Sequence, residues 1–177
     1  MDLSGVHLKQ FFLYFYKMEY DGAGVLFTNR RIALAGYHPQ KTCLSGLGGK
    51  REASDRTPQE TAFREVLEEL FGLSVVTRSI LESLCIAFSS PETILGYSKY
   101  IVYVYSFKDL TRLLHLCKSR GLVSPLYSSF PETLEELLLQ RSGGDSEISH
   151  LSLVPIVKVA PILEPVFQRD LEKIRIE

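Results

Sequence analysis

Apolar positions along the chain follow two rhythms, a short alternating one and a longer helical one. Gln10–Glu19 is dense in Phe and Tyr and reads as a strand. Asp21-Gly22 signals a turn, Gly24–Thr28 a short buried strand, and Asn29-Arg30-Arg31 a second turn into Ile32–Ala35, which completes a hairpin. Tyr37–Arg56 mixes Gly, Pro, Ser and charge and is expected as loop with at most short extended pieces. A helix should then start at Thr57, the N-cap, with Pro58 first and Glu60 as the partner of a capping box. It should end near Leu70 or Phe71, before Gly72. Ser74–Phe88 reads as β-rich and Lys99–Phe107 as the clearest strand, joined as a hairpin through Ser89-Ser90-Pro91 and Gly96. Leu110–Lys118 and Pro131–Arg141 are amphipathic segments, and Ser142–Asp145 is a flexible loop. Ile148–Val154 is expected as a late strand and Pro161–Ile174 as a closing helix. Strands interspersed with helices predict a mixed α/β (α+β) sandwich.

A length of 177 residues fits one domain with a full core. With 45% hydrophobic and 23% charged residues the composition is that of a globular protein, which argues against a disordered or collagen-like chain. Three scattered cysteines, Cys43, Cys85 and Cys117, with no CxxC pair, exclude a disulfide framework and a common structural zinc site. The four histidines have no HxH or HxxxH spacing, which argues against a zinc centre. The first residues lack a signal-peptide pattern and no long apolar run occurs, so a soluble, intracellular, cytoplasmic protein with no membrane contact is expected. The net charge of −1 gives no support to nonspecific nucleic-acid coating, but it is unevenly spread. Residues 1–51 carry seven basic against three acidic side chains, a local +4 that leaves −5 on the remainder.

One segment concentrates chemistry. On a helical wheel of about 100° per residue, Glu65, Glu68 and Glu69 share one arc, while Phe63, Val66, Leu67 and Leu70 occupy another. Like charges at i,i+4 destabilise a helix by roughly 0.2–0.5 kcal/mol, partly offset here by pairing of Arg64 with Glu68. A divalent cation would offset more, since Mg²⁺ favours oxygen ligands and takes one or two carboxylates together with substrate phosphates. Gly48-Gly49 lies just before, where bare backbone can approach a ligand. A solvated acidic helix face is the plain alternative for such a cluster.

The combination of Gly-Gly, capped helix start, Arg64-Glu65-Val66-Leu67-Glu68-Glu69 and Gly72 resembles the box of the Nudix hydrolase superfamily, Gly-x5-Glu-x7-Arg-Glu-U-x-Glu-Glu-x-Gly-U. Two departures stand out. Asp55 takes the place of the first glutamate with one extra residue before Arg64, and Leu70-Phe71 puts two residues before Gly72. Neither changes the relative placement of the three glutamates. The resemblance implies a single Nudix-type α/β/α sandwich with a mixed sheet over 1–177, with a helical insertion at about 109–141. It also implies hydrolysis of a diphosphate in a nucleoside-diphosphate derivative. Mg²⁺ or Mn²⁺ would be held by Glu65, Glu68 and Glu69, with the Gly48 carbonyl as a further ligand. Arg64 would orient a box glutamate, and the general base would be Glu65 or the downstream Glu147. Glu132, Glu135 and Glu136 are weaker alternatives that read as a solvated helix face.

Lys50 and Arg51 follow the glycine pair and are candidates for phosphate contact. Arg30 is a further basic candidate in the same stretch. The aromatic residues Phe11, Phe12, Tyr14, Phe15 and Tyr16 read mainly as core, with one face available to stack a base. Three substrate readings compete: a free nucleotide derivative, the 5′ cap of mRNA (some compact family members, including those of large DNA viruses, remove caps), and none, for a non-catalytic binding module that retains the fold. Glu68→Gln or Glu69→Gln is expected to abolish turnover and spare the fold, because both side chains should project away from buried surface.

Overall fold

A computed structural model describes residues 19–142, 146–157 and 162–176. The strand expected over Gln10–Glu19, with its aromatic run, lies almost wholly outside the described residues, as do Gly143–Asp145 and Pro161.

Seven strands form one mixed sheet: β1 (Gly22–Thr28), β2 (Ile32–His38), β3 (Cys43–Ser45), β4 (Leu47–Lys50), β5 (Thr93–Tyr97), β6 (Tyr100–Ser106) and β7 (His150–Pro155). Five helices complete the fold: α1 (Pro58–Phe71), α2 (Arg78–Ala87), α3 (Phe107–Ser119), α4 (Leu134–Leu139) and α5 (Pro165–Ile176). β1 and β6 run parallel along their whole length, and the other pairings are antiparallel.

Alternation along the central strands builds two cores. Ala23, Val25 and Phe27 of β1 and Ile101, Tyr103 and Tyr105 of β6 face α1 to α4. Leu26 of β1 and Val102 and Val104 of β6 face the other way, onto Phe167, Leu171 and Ile174 of α5. That period of two, with helices over both faces, is the expected α/β/α sandwich. No described helix is long and apolar enough to cross a membrane.

The β1–β2 hairpin forms as expected, but it opens like a fork. The two strands pair only near their turn, at Thr28 and Ala33. β3 and β4, separated by Gly46 alone, wedge between the arms. β3 pairs with Gly36–His38 of β2, and β4 with Gly22–Val25 of β1. Gly48 and Gly49 are therefore strand residues, which corrects their reading as loop. The pairing tolerates no side chain at Gly48, where φ is +151° and a Cβ would lie 2.5 Å from the Gly24 Cα.

Helix α1 follows the signals in its sequence. The Thr57 side chain accepts from the Glu60 N–H, Pro58 is first, and Gly72 closes the helix at φ +68°. The second half of the capping box is absent. Glu60 instead accepts from the Arg56 N–H at 2.7 Å and pairs with Arg78 at 3.0 Å. The larger correction concerns Ser74–Phe88, which is helical from Arg78 to Ala87 rather than β. Leu81, Leu84 and Phe88 recur at i, i+3 and i+7 and are buried, and Arg78 and Glu82 pair at i,i+4. The partner of β6 is instead Thr93–Tyr97, so Gly96 lies within a strand.

Candidate active site

Helix α1 docks on β4 and β1 through its apolar face, and this sets the depth of each box glutamate. The Glu68 side chain is 49% exposed, that of Glu65 15%, and Glu69 is buried. The expectation that Glu69 projects away from buried surface is thus corrected. β4 passes across the helix, and the Gly48 N–H donates to Glu69 Oε2 at 2.8 Å. Glu65 is just as close to backbone, for a Cβ on Gly49 would fall 2.5 Å from its carboxylate. The two glycines are what let carboxylates lie directly on strand backbone.

Arg64 ties this cluster together. Its Nη1 reaches Glu65 at 2.8 Å and Glu68 and Glu52 at 3.6 Å. Its Nη2 donates to the Lys50 carbonyl at 2.7 Å and, with Nε, to the buried Asp55. Asp55 also accepts from Thr61 Oγ1 at 2.8 Å and from the Glu52 N–H at 2.9 Å. Burial pushes the Asp55 carboxyl up, but the hydrogen bonds from Arg64, the Glu52 N–H and Thr61 outweigh it and hold it below the ordinary range. Asp55 is therefore the fixed anchor of Arg64. In sequence it was visible only as the departure from the box.

The glutamates titrate the other way. Burial raises Glu69 well above its ordinary value against the Gly48 N–H, and the charges of Glu65, Glu147 and Glu68 add to the rise. Burial likewise raises Glu65; Arg64 opposes the rise, and Glu68 and Glu147 add to it. Four carboxylates thus repel one another in a partly desolvated place. Among the described residues no three His, Cys, Asp or Glu side chains are gathered to metal-ligating distance. Arg64 and the Gly48 N–H engage Glu65 and Glu69 instead. As a donor type, the carboxylate oxygens of Glu65, Glu68 and Glu69 suit a hard divalent cation.

Glu147 stands before β7 with one carboxylate oxygen 3.5 Å from His38 Nδ1 and 3.8 Å from Lys41 Nζ. Arg141 brings this segment to the box. It donates to the Glu69 and Leu70 carbonyls at the end of α1 and to the Ile148 carbonyl, at 2.7–2.8 Å. Burial, with Lys41, lowers His38 against the pull of Glu147 and Glu164.

A cavity of about 600 Å³ opens beside the cluster, lined by Lys41, Gly48, Gly49, Lys50 and Glu147 at one end and by Tyr97, Tyr100, Phe167, Arg169 and Asp170 at the other. Tyr100 connects the two ends. Burial raises its hydroxyl, as do the charges of Glu69, Asp170, Glu65 and Glu164. Of the basic candidates, Lys50 lies on the cavity wall. Arg51 stacks over the Tyr20 ring at 4.7 Å. Arg30 sits in the turn at the far end of β1, 3.9 Å from Glu92, and is not brought to the cluster. Glu132 pairs with Lys118, and the Glu136 carboxylate accepts from the Glu132 N–H, both at the surface around α4. Burial raises the thiols of Cys85 and Cys117 to about 12, away from the thiolate form. Tyr97, Tyr100, His38 and Asp170 had no local sequence signal; they meet only through the sheet and α5.

No family model matches the chain, and no curated protein does. Solved structures that resemble it include a NUDIX-family hydrolase from Clostridium perfringens at 16% identity, covering 89% of this chain and 97% of that one with a TM-score of 0.41. Another is a bifunctional NMN adenylyltransferase/ADP ribose pyrophosphatase from Francisella tularensis, complexed with AMP and a Mn ion. It is 17% identical with a TM-score of 0.41, and covers 96% of this chain but 46% of its own. Likeness at this level says nothing of activity.

Proposed function

We propose that the chain is a metal-dependent Nudix pyrophosphohydrolase acting on the diphosphate of a nucleoside-diphosphate derivative. The observation that carries this reading is the folded state of the box: Arg64, locked by Asp55 and the Lys50 carbonyl, holds Glu65 and reaches Glu68 beside the buried Glu69. A solvated acidic face would not need a buried arginine anchor or two glycines cut to fit its carboxylates.

On this reading Glu65, Glu68 and Glu69 hold Mg²⁺ or Mn²⁺, with the Gly48 carbonyl as a further ligand. The metal supplies charge neutralisation on the diphosphate and a more acidic attacking water. The protein's residues do the rest. Arg64 keeps Glu65 in place, and Lys50 offers a counter-charge to phosphate from the cavity wall. Arg51 is placed behind it, on Tyr20. Glu147, at the cavity and paired with His38 and Lys41, takes the proton from water, and Glu65 is the alternative base. The 109–141 segment is an insertion that supplies Arg141, which fixes the end of α1 against the segment carrying Glu147.

The test is a hydrolysis panel of nucleoside triphosphates, ADP-ribose, dinucleoside polyphosphates and capped RNA, with Mg²⁺ and with Mn²⁺. Cleavage of a P–O–P bond in at least one member, with each product carrying its share of the phosphates, is the expected result. The alternative reading is a non-catalytic binding module that retains the fold. Binding of a panel member with no product under either metal would favour it.

A further inference from the structure

One wall of the cavity holds a buried group to which the hydrolytic chemistry has so far given no task. His38 is 3% exposed and lines the cavity, and its Nδ1 makes no hydrogen bond. Folded proteins leave few buried polar atoms in this state, and each calls for an explanation. Facing it is Glu147, whose Oε1 lies 3.5 Å away, beyond the roughly 2.7–3.2 Å of a good N–H···O bond. Lys41 Nζ approaches the same oxygen at 3.8 Å. Two donors thus converge on one oxygen of the carboxylate, which leaves Oε2 for another partner.

The chain on both sides of this contact is held in place. His38 ends β2, opposite Cys43 of β3. Ile148, next to Glu147, is fully buried and fills the space over Gly36, where a Cβ would fall 2.2 Å from its Cδ1. The Ser149 N–H donates to the Tyr37 carbonyl at 3.0 Å, and Arg141 donates to the Ile148 carbonyl at 2.8 Å. The backbone around Glu147 is therefore registered on β2. The freedom that remains is in its side chain, which is 64% exposed. An exposed glutamate left to itself spreads over several rotamers, and fixing it requires a partner. The charge of Glu147 is felt at both Glu65 and Glu69, so its carboxylate stands near the box.

We propose that His38 is the positioning residue of Glu147: its neutral ring donates Nδ1–H to Oε1 and so turns Oε2 toward the attacking water. This assignment rests on the pyrophosphohydrolase reading, with Glu147 as the base. The water oxygen bonds to phosphorus, one water proton passes to Glu147 Oε2, and the bridging P–O bond breaks with its electron pair on the departing phosphate. His38 keeps its proton throughout and touches no reacting atom. Burial and the charge of Lys41 lower His38 against the pull of Glu147 and Glu164, which agrees with a neutral ring. A neutral donor fixes the carboxylate without setting a second positive charge against it beside Lys41. A neutral histidine carries its proton on one ring nitrogen only, so the role requires the Nδ1–H form. Contacts of this kind often close to hydrogen-bond length only in the substrate complex.

The test combines kinetics with ¹⁵N NMR of the histidine rings, on the full chain with Mg²⁺ near neutral pH. His38→Leu should lower kcat by about 10-fold or more with little change in KM, short of the roughly 10²–10⁴-fold that removal of a general base costs. His38→Asn, whose amide nitrogen can stand in for Nδ1, should recover most of that loss, whereas a role in packing alone would favour His38→Leu. Added to Glu147→Gln, His38→Leu should slow turnover no further. In the spectra His38 of the wild type should be neutral with its proton on Nδ1, and Glu147→Ala should move that proton toward Nε2. Equal kcat in the wild type and His38→Leu, no recovery in His38→Asn, a further loss in the double variant, or Nε2–H in the wild type would overturn the proposal. The tautomer also decides where His38→Leu does not fold. The two readings fail separately. A wild type that cleaves nothing sinks the hydrolase, while the tautomer still decides whether His38 holds Glu147; full turnover by His38→Leu sinks only the positioning role.

Discussion

At the residue scale the site is a set of close approaches between carboxylates and backbone. Gly49 is the sharpest case, since a methyl group there would occupy the place of the Glu65 carboxylate. The obstructing group is the end of a flexible side chain, so Gly49→Ala should cost little stability. It should instead displace Glu65 and lower turnover by about 10–100-fold, the range seen when groups supporting a metal site are lost. Paired rate and melting measurements check this. Asp55→Ala should do the opposite. It removes the buried anchor of a guanidinium that still keeps Glu65 and the Lys50 carbonyl, so the cost should be about 1.5–3 kcal/mol, the range for a hydrogen bond to a charged group, readable by urea unfolding. The sequence made Glu65, Glu68 and Glu69 legible because they sit on one helix at fixed spacing. It hid Asp55, Tyr97, Tyr100 and Asp170, whose meaning comes from contacts across separate elements. The aspartate looked like a defect in the box and is the partner that positions its arginine.

At the element scale, α1 and the forked hairpin do the positioning. The helix was readable from Thr57, Pro58 and Gly72, because caps act locally. The wedge of β3 and β4 was not, since glycine-rich strands carry no alternating pattern and their pairing is long-range. Ser74–Phe88 misled for a related reason. Its leucines, isoleucines and valines suit a strand by composition, while only their spacing and the Arg78–Glu82 pair specify a helix. Arg141 is the joint between elements, donating to three carbonyls of α1 and the segment before β7. Its removal should destabilise the fold by at least about 2 kcal/mol, at 1.5–3 kcal/mol for each hydrogen bond to a charged group. Hydrogen exchange should then accelerate first around Ile148. Unchanged exchange there in Arg141→Ala would contradict its role as a clamp.

At the scale of the whole molecule, the uneven charge does not form a continuous basic track. Lys41 and Lys50 reach the cavity, while Arg30 lies at the other end of β1 and Arg51 on Tyr20. The acidic side has consequences for stability. Asp170 titrates near 6 when folded and near its ordinary value, about 3.9, when unfolded. Between those values the folded state holds more protons, so stability falls as pH rises from about 4 to about 6. Asp170→Asn should remove a pH-dependent contribution on the order of 2–3 kcal/mol. Asp55, held low, works in reverse: its contribution is present above its ordinary value and is lost as pH falls through its lowered one. Glu69 and Glu65, both raised, hold their protons more readily than ordinary carboxylates, and a cation must displace those protons to bind. Mn²⁺ should therefore raise the melting temperature, and more at pH 8 than at pH 5.5.

The central claim is that the box is a working metal centre, and Glu68 tests it most directly, because its half-exposed side chain can change without disturbing the core. The measurement is the hydrolysis rate of the best panel substrate, with saturating Mg²⁺ or Mn²⁺, for the wild type and Glu68→Gln at matched melting temperature. The account predicts turnover by the wild type and a loss of about 100-fold or more in the variant, at the upper end of metal-site effects. Equal rates in the two proteins with either metal would contradict it.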